Sequence, residues 1–216
     1  IIDNPLDSNR ANFRTSIKDS LVENLLYNER RQKDSVKLFE ISDIYTKETE
    51  IKQEKKLGLI TSGRLGNNFR DFSGKLDYEY LNKLLNYNLG KEVFKINEIP
   101  RNSIDTKKKD KIFYIEILIN DIPESFFLNL HKDNKIVNFI TYKPISEFPS
   151  SLRDFSFSIT SLDKVDEIVK TLNGISDEII KDSFIFDFYK NDKMNSVKLG
   201  YRFIFQSSYK TLSDEE

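Results

Sequence analysis

Apolar residues recur at helical spacing in three segments of the chain, and each spacing predicts an amphipathic helix. The first helix is expected to be capped by Ser16, and its apolar stripe comprises Ile17, Leu21, Val22, Leu25 and Leu26. The second contains Leu76, Tyr80, Leu81, Leu84 and Leu85 and is expected to end at Gly90. The third runs from about Leu162 to Leu172, with apolar residues at Val165, Ile168, Val169 and Leu172. A fourth, short helix is predicted at 121–131.

Runs of β-branched and aromatic residues between these helices predict strands. In the first part of the chain they lie at 36–45, 57–61, 91–97, 111–119 and 136–142. In the last part they lie at 154–160, 182–190 and 197–207, with the third helix after the first of them. The predicted fold class is therefore α+β: a mixed, mainly antiparallel sheet with helices, followed by a β-α-β-β unit.

The segment 143–159 marks the change between these two patterns. It holds two of the five prolines, which do not continue a helix and favour an extended approach to the next strand. We therefore predict one domain at 1–146 and a second at 147–216. The start at Ile1, without Met, and a segment predicting a new helix at 211–216 suggest a piece of a longer protein.

The strand at 182–190 carries the candidate binding residues. Asp187 and Tyr189 are two residues apart and should project from one sheet face. The other face is expected to carry Phe184, Phe186 and Phe188 and to pack on the helix. An exposed tyrosine ring can stack an unpaired base, and a carboxylate can accept hydrogen bonds from guanine. From the spacing alone, a solvated strand edge that carries one amphipathic ring is the more common explanation.

Composition excludes several other kinds of site. The chain has no cysteine and one histidine, which argues against disulfides, thiolate zinc sites and a nucleophilic triad, and fits a reducing cytosol. A net charge of −1 argues against a uniformly basic nucleic-acid coat. Its apolar runs are too short to span a bilayer, so no membrane association is expected. Arg202 and Lys210 are read either as phosphate contacts or as solvated surface.

Longer motifs then give a specific resemblance. The stretches FPSSLRDFSFSI, FIFDFY and LGYRFIFQSSYKTLSDEE resemble the ferredoxin-fold anticodon-binding domain of bacterial phenylalanyl-tRNA synthetase β subunits. The stretch NPLDSNRANFRTSIKDSLVENLLYNERRQ, with VKLFEISDIY after it, resembles the class II synthetase-like module of that same family. The resemblance covers most of the chain in the correct order. It departs at 97–111, which is shorter than usual, and in a last domain that lacks its final helix and strand.

The resemblance implies roles for individual residues. Asp187 and Tyr189 match the pair that holds the first anticodon base, a guanine in GAA. Ser156 matches a small residue against which the next base packs. Lys198 falls near a position usually held by serine, so contact with a phosphate is an alternative role for it. Without its last helix and strand, the second domain is expected to expose an apolar sheet face.

The resemblance also implies the function of the whole assembly. The family is an ATP- and Mg²⁺-using ligase that forms an α2β2 heterotetramer in the cytoplasm and joins phenylalanine to tRNA(Phe). This segment would bind neither cofactor and carry no catalytic residue, because Thr46 stands where active class II modules have an arginine. Its expected work is subunit assembly and anticodon recognition, and exposed Leu25, Leu26 or Tyr27 would mark the subunit interface. Two alternatives remain: a stand-alone RNA-binding protein, and a scaffold in which Asp187 and Tyr189 are buried or turned from the open face of the sheet.

Overall fold

The computed structural model describes residues 12–47, 49–90, 93–130, 142 and 144–213. The chain divides into two compact units, a first unit of 1–63 with 75–136 and a second unit of 64–74 with 137–216. The first unit contains α1 (Lys18–Arg30), β1 (Ser35–Lys47), β2 (Ile51–Gly63), α2 (Tyr78–Leu89), β3 (Asn97–Ile99), β4 (Ile112–Leu118) and α3 (Glu124–Leu130). The second contains β5 (Ser151–Ile159), α4 (Val165–Gly174), β6 (Ile180–Asn191) and β7 (Ser196–Phe205).

The first unit is built on an antiparallel sheet with strand order β1-β2-β4-β3. The apolar stripe of α1 packs on one face, and α2 packs on the other against Ile115 and Ile117 of β4. The approach of α1 needs Gly58 of β2, because a Cβ there would lie 2.9 Å from Leu21 Cδ1. A sheet covered by a helix on each side explains why β4 is apolar at nearly every position.

Polar side chains hold α1 in place at both ends. The Ser16 hydroxyl donates to Glu116 over 2.8 Å, and the Ser20 hydroxyl donates to Glu40 over 2.6 Å. Toward the other end, the Arg101 guanidinium donates to both carboxylate oxygens of the buried Glu29, over 2.8 and 2.9 Å. The helix is therefore held by hydrogen bonds as well as by its apolar stripe.

The second unit has the predicted β-α-β-β order. Its three strands form an antiparallel sheet in the order β5-β7-β6, so β7 is central. Leu199, Tyr201 and Phe203 of β7 are buried against α4, and the Tyr201 hydroxyl donates to Asn173 over 2.9 Å. At the β5 edge of this helix-covered face, Phe155 is 47% exposed.

Several element predictions need correction. The strand expected at 91–97 is wrong for 93–96, and pairing with β4 is confined to Asn97–Ile99. Ser16 does not occupy the N-cap of α1; Ile17 does, and Ser16 Oγ accepts from the Lys18 N–H. The strand expected at 136–142 lies outside the described residues except for Tyr142, which is not in a strand. Residues 211–213 are not helical, and the rest of that predicted helix lies outside the described residues.

Candidate nucleic-acid interface

The register of the second unit's sheet brings the four predicted site residues onto one face. One row across β5, β7 and β6 consists of Ser156, Gly200 and Asp187. The next row on the same face consists of Ser158, Lys198 and Tyr189. Directly opposed residues of neighbouring antiparallel strands project to the same side. We call this side, which carries Ser156, Lys198, Asp187 and Tyr189, the open face.

The side chains of the open face are accessible. Tyr189 is 57% exposed, and Asp187, Ser156 and Lys198 are all exposed as well. The helix α4 and the buried cluster around Leu199 lie on the opposite side of the sheet. A ring, a carboxylate and an ammonium group are therefore displayed together to solvent.

A β-bulge in β6 overturns part of the predicted strand pattern. The register with β7 shifts between Ile185 and Asp187, so Phe186 is inserted as an extra residue. Phe188 packs with the α4 side, as predicted, and Ile185 joins it there. Phe184 lies opposite Arg202 on the open face, and the Phe186 ring abuts Gly200 on that same face. The prediction that all three phenylalanines face the helix is therefore wrong for Phe184 and Phe186.

Gly200 accommodates the bulge. A Cβ at this position would lie 2.8 Å from Phe186 Cζ and 3.0 Å from Asp187 Cβ. Atoms of both residues thus occupy the space beside Gly200 that a Cβ would need. A side chain there would displace the ring, the carboxylate-bearing residue, or both.

An ion pair borders the site along β5 and β7. Arg202 donates from Nε and Nη2 to the two oxygens of Asp154, each over 2.7 Å. These charge-assisted hydrogen bonds lower the pKa of Asp154 below its ordinary value of 3.8, and the small burial of the carboxyl opposes that shift. Arg202 therefore forms an ion pair within the protein. This contact favours neither the phosphate contact nor the solvated surface position suggested by the sequence.

A loop of the second unit, residues 64–74, covers the end of the open face beyond Asp187. Its Phe72 ring lies 5.9 Å from the Phe184 ring and 5.6 Å from the Phe186 ring, between centroids. The sequence patterns described above did not predict this contact. The available signal was the pair of phenylalanines, Phe69 and Phe72, three residues apart in a mainly polar loop.

The order of elements and the open face define a class of protein. An antiparallel sheet with accessible aromatic and polar side chains on one side and a helix on the other is a common platform for unpaired RNA bases. A family model described as "Ferredoxin-fold anticodon binding domain" matches residues 146–216. A second, described as "Phenylalanyl tRNA synthetase beta chain CLM domain", matches residues 1–109, half of the chain. The chain belongs to the phenylalanyl-tRNA synthetase beta chain family.

Curated relatives agree with this assignment. The chain is similar to the phenylalanine–tRNA ligase beta subunit of Staphylococcus aureus (strain USA300), with 23% identity over 98% of the chain and 29% of the relative. It is also similar to the chloroplastic phenylalanine–tRNA ligase beta subunit of Pyropia yezoensis, with 24% identity over 100% of the chain and 34% of the relative. The chain thus spans about a third of the length of these relatives.

Proposed function

We propose that this chain is the part of a phenylalanine–tRNA ligase β subunit that reads the anticodon of tRNA(Phe) and contributes to subunit assembly. The observation that carries the proposal is the exposure of Asp187 and Tyr189 on one open sheet face. The family models support it, because the model matching 146–216 is described as anticodon binding. The enzyme that contains this segment would work in the cytoplasm as a ligase.

In the proposal, Asp187 and Tyr189 hold the first anticodon base together. Alternate residues of a strand are about 7 Å apart, which suits a base stacked on the ring with its edge toward the carboxylate. The Asp187 carboxylate would accept hydrogen bonds from N1–H and N2–H₂ of guanine. Adenine lacks those donors, so the carboxylate would select the guanine of a GAA anticodon.

Ser156 and Lys198 extend the proposed site across the sheet. Ser156 lies in the same cross-strand row as Asp187, on the far edge strand. Its small side chain would let the next base pack against the strand. Lys198 stands directly beside Tyr189, where its ammonium group can approach the phosphate of a stacked nucleotide.

The first unit is proposed to be a non-catalytic class II synthetase-like module that packs on the α subunit of an α2β2 assembly. Leu25 is fully buried and so is part of the core, whereas Tyr27 is 54% exposed. Phe39 and Ile41 on the edge strand β1 are also exposed, at 71% and 54%, and offer apolar surface to a partner. Adenylation with ATP and Mg²⁺ is assigned to that partner subunit.

The test uses the full-length subunit co-expressed with its α partner. It compares the wild type with the double variant Asp187→Ala, Tyr189→Ala. Loss of one stacked base, worth about 1–3 kcal/mol, lowers kcat/KM for tRNA(Phe) by about 5- to 150-fold. ATP–pyrophosphate exchange without tRNA should stay unchanged, because the residues act only on the anticodon. Tyr87→Ala is the matched control, since Tyr87 is 89% exposed on α2 of the first unit.

Unchanged aminoacylation in the double variant would overturn the proposal. The scaffold alternative required Asp187 and Tyr189 to be buried or turned from the open face, and both are exposed on that face. The stand-alone alternative predicts micromolar RNA binding by the chain without an α subunit, and therefore aminoacylation that does not respond to these residues. A hairpin-binding assay on the 216-residue chain, run beside the enzyme assay, separates that outcome from the proposal.

A further inference from the structure

The loop 64–74 is an ordered part of the second unit. The Leu65 N–H donates to the Gly74 carbonyl over 3.0 Å and closes the loop. Inside it, the N–H groups of Asp71 and Phe72 donate to the Asn68 carbonyl, over 3.0 and 2.8 Å. The Arg64 guanidinium donates to the Phe72 carbonyl over 2.5 Å. These bonds hold Phe72 in one place, and only 8% of it is exposed.

Phe72 forms the centre of an aromatic and cationic stack. The Arg64 guanidinium carbon lies 3.9 Å from the Phe72 centroid, and the Arg202 guanidinium carbon lies 5.1 Å from it. Arg202 lies 5.2 Å from the Phe186 centroid as well. Arginine over an aromatic face adds attraction to the area that the rings bury. The stack therefore holds the Phe186 ring on the open face.

The position of Phe186 bears directly on Asp187. The two residues form the bulge, and both lie in the space that a Cβ at Gly200 would need. If Phe186 left the open face, the bulge could relax to a regular register, and each following side chain would change face. Asp187 would then point toward α4, because a one-residue slip reverses the faces of a strand.

We propose that Phe72 is a positioning residue for anticodon recognition: by holding Phe186 on the open face, it keeps the bulge that presents Asp187 to the first anticodon base. This inference rests on the proposed function. Phe72 itself is too buried to stack on a base. Its effect therefore passes through Phe186 and the backbone to Asp187.

The test measures binding of two RNA hairpins to the 216-residue chain by fluorescence anisotropy. One hairpin carries GAA in its loop and the other carries AAA, and the ratio of their Kd values reports recognition of the first base. A reduced folded fraction affects both Kd values equally, so the ratio is insensitive to partial unfolding. Phe72→Ala should reduce the ratio about tenfold, within the coupling range of contacting residues.

A double-variant cycle with Asp187→Ala isolates the positioning effect. If Phe72 acts through Asp187, Phe72→Ala leaves the hairpin ratio of the Asp187→Ala variant unchanged. Phe69→Ala is the matched control: its ring lies in the same loop but contacts Phe188, 5.4 Å away between centroids, and the ratio should not change. Phe72→Leu keeps an apolar side chain but loses the ring, so it should reduce the ratio only about threefold.

The outcomes separate the two proposals. If Asp187→Ala itself leaves the ratio unchanged, the proposed function fails. If Asp187→Ala removes the discrimination but Phe72→Ala weakens both hairpins equally, only the positioning role fails, and Phe72 is merely structural. If circular dichroism shows that Phe72→Ala does not fold, the Phe72→Leu variant decides. A ratio reduced about threefold supports the positioning role. An unchanged ratio with weaker binding of both hairpins overturns it.

Discussion

Asp154 and Arg202 show how one residue pair on the sheet depends on pH. The folded-state pKa of Asp154 is lowered by its two hydrogen bonds from Arg202, so the pair stabilises the fold above the ordinary pKa of 3.8. That contribution is lost as the pH falls through the lower folded pKa. Because the Asp154 side chain is 43% exposed, solvent screening keeps the contribution small.

Substituting Arg202 should therefore raise the pKa of Asp154. We expect Arg202→Gln to return it toward 3.8, measured from the carboxyl carbon shift of Asp154 in an NMR titration. Arg202→Lys keeps the charge but not the two parallel hydrogen bonds. In that variant the pKa of Asp154 should lie between its values in the wild type and in Arg202→Gln. The same low pKa in Arg202→Gln as in the wild type would mean that another group sets it.

At the scale of single residues, one part of the site could be predicted from the sequence and another part could not. Asp187 and Tyr189 both follow the bulge, so their two-residue spacing placed them correctly on one face. Phe184 precedes the bulge, and the period of two cannot be carried across an inserted residue. Gly200, which makes room for the bulge, lies on another strand, and no local pattern in β6 points to it.

At the scale of elements, the buried pair of Glu29 and Arg101 should decide how firmly α1 is held. Arg101→Met leaves the Glu29 carboxylate buried without its cation, and breaking such a pair costs about 3–5 kcal/mol. The free energy of unfolding, obtained from urea titrations followed by circular dichroism, should fall by that amount. Thr106, which also donates to Glu29 over 2.9 Å, cannot replace the positive charge.

A second variant provides the control for this prediction. Glu29→Leu combined with Arg101→Met replaces both charges by apolar groups, and such replacements are often neutral or stabilising. We expect the double variant to recover most of the stability lost in Arg101→Met. A double variant as unstable as the single one would show that shape, rather than charge, matters at this position.

Elements with strong local signals were predictable, whereas those made by distant pairing were not. The stripes of α1, α2 and α4 follow the helical period closely, and all three helices are confirmed. Residues 93–96 carry strand-forming residues but find no partner, because β4 pairs only with Asn97–Ile99 on that side. A strand needs a neighbour as well as a suitable sequence.

At the scale of the whole molecule, charge should make RNA binding only weakly dependent on salt. The 34 basic and 35 acidic residues give a net charge of −1, so we expect few phosphate contacts and a large share of the affinity from base contacts. Each phosphate neutralised on a single strand contributes about −0.7 to the slope of log K against log salt. With one or two phosphates contacted, the GAA hairpin should give a slope of about −1.

Lys198 is expected to account for one of those contacts. Lys198→Gln should make the slope shallower by about 0.7, measured by anisotropy at several potassium chloride concentrations. Lys170→Gln, an equal charge change at an exposed position of α4, serves as the control and should leave the slope unchanged. Equal slopes for Lys198→Gln and the wild type would remove Lys198 from the phosphate contacts.

The position of Phe72 in the chain has a consequence for how the protein is made. Residues 64–74 leave the ribosome long before 184–202, yet they complete the same unit. During synthesis Phe72 is therefore made before its partners Phe184 and Phe186. Strands of the first sheet lie on both sides of it in the sequence. The second unit is complete only once this long-range contact has formed, and such contacts form slowly and leave apolar surface open to aggregation until they do.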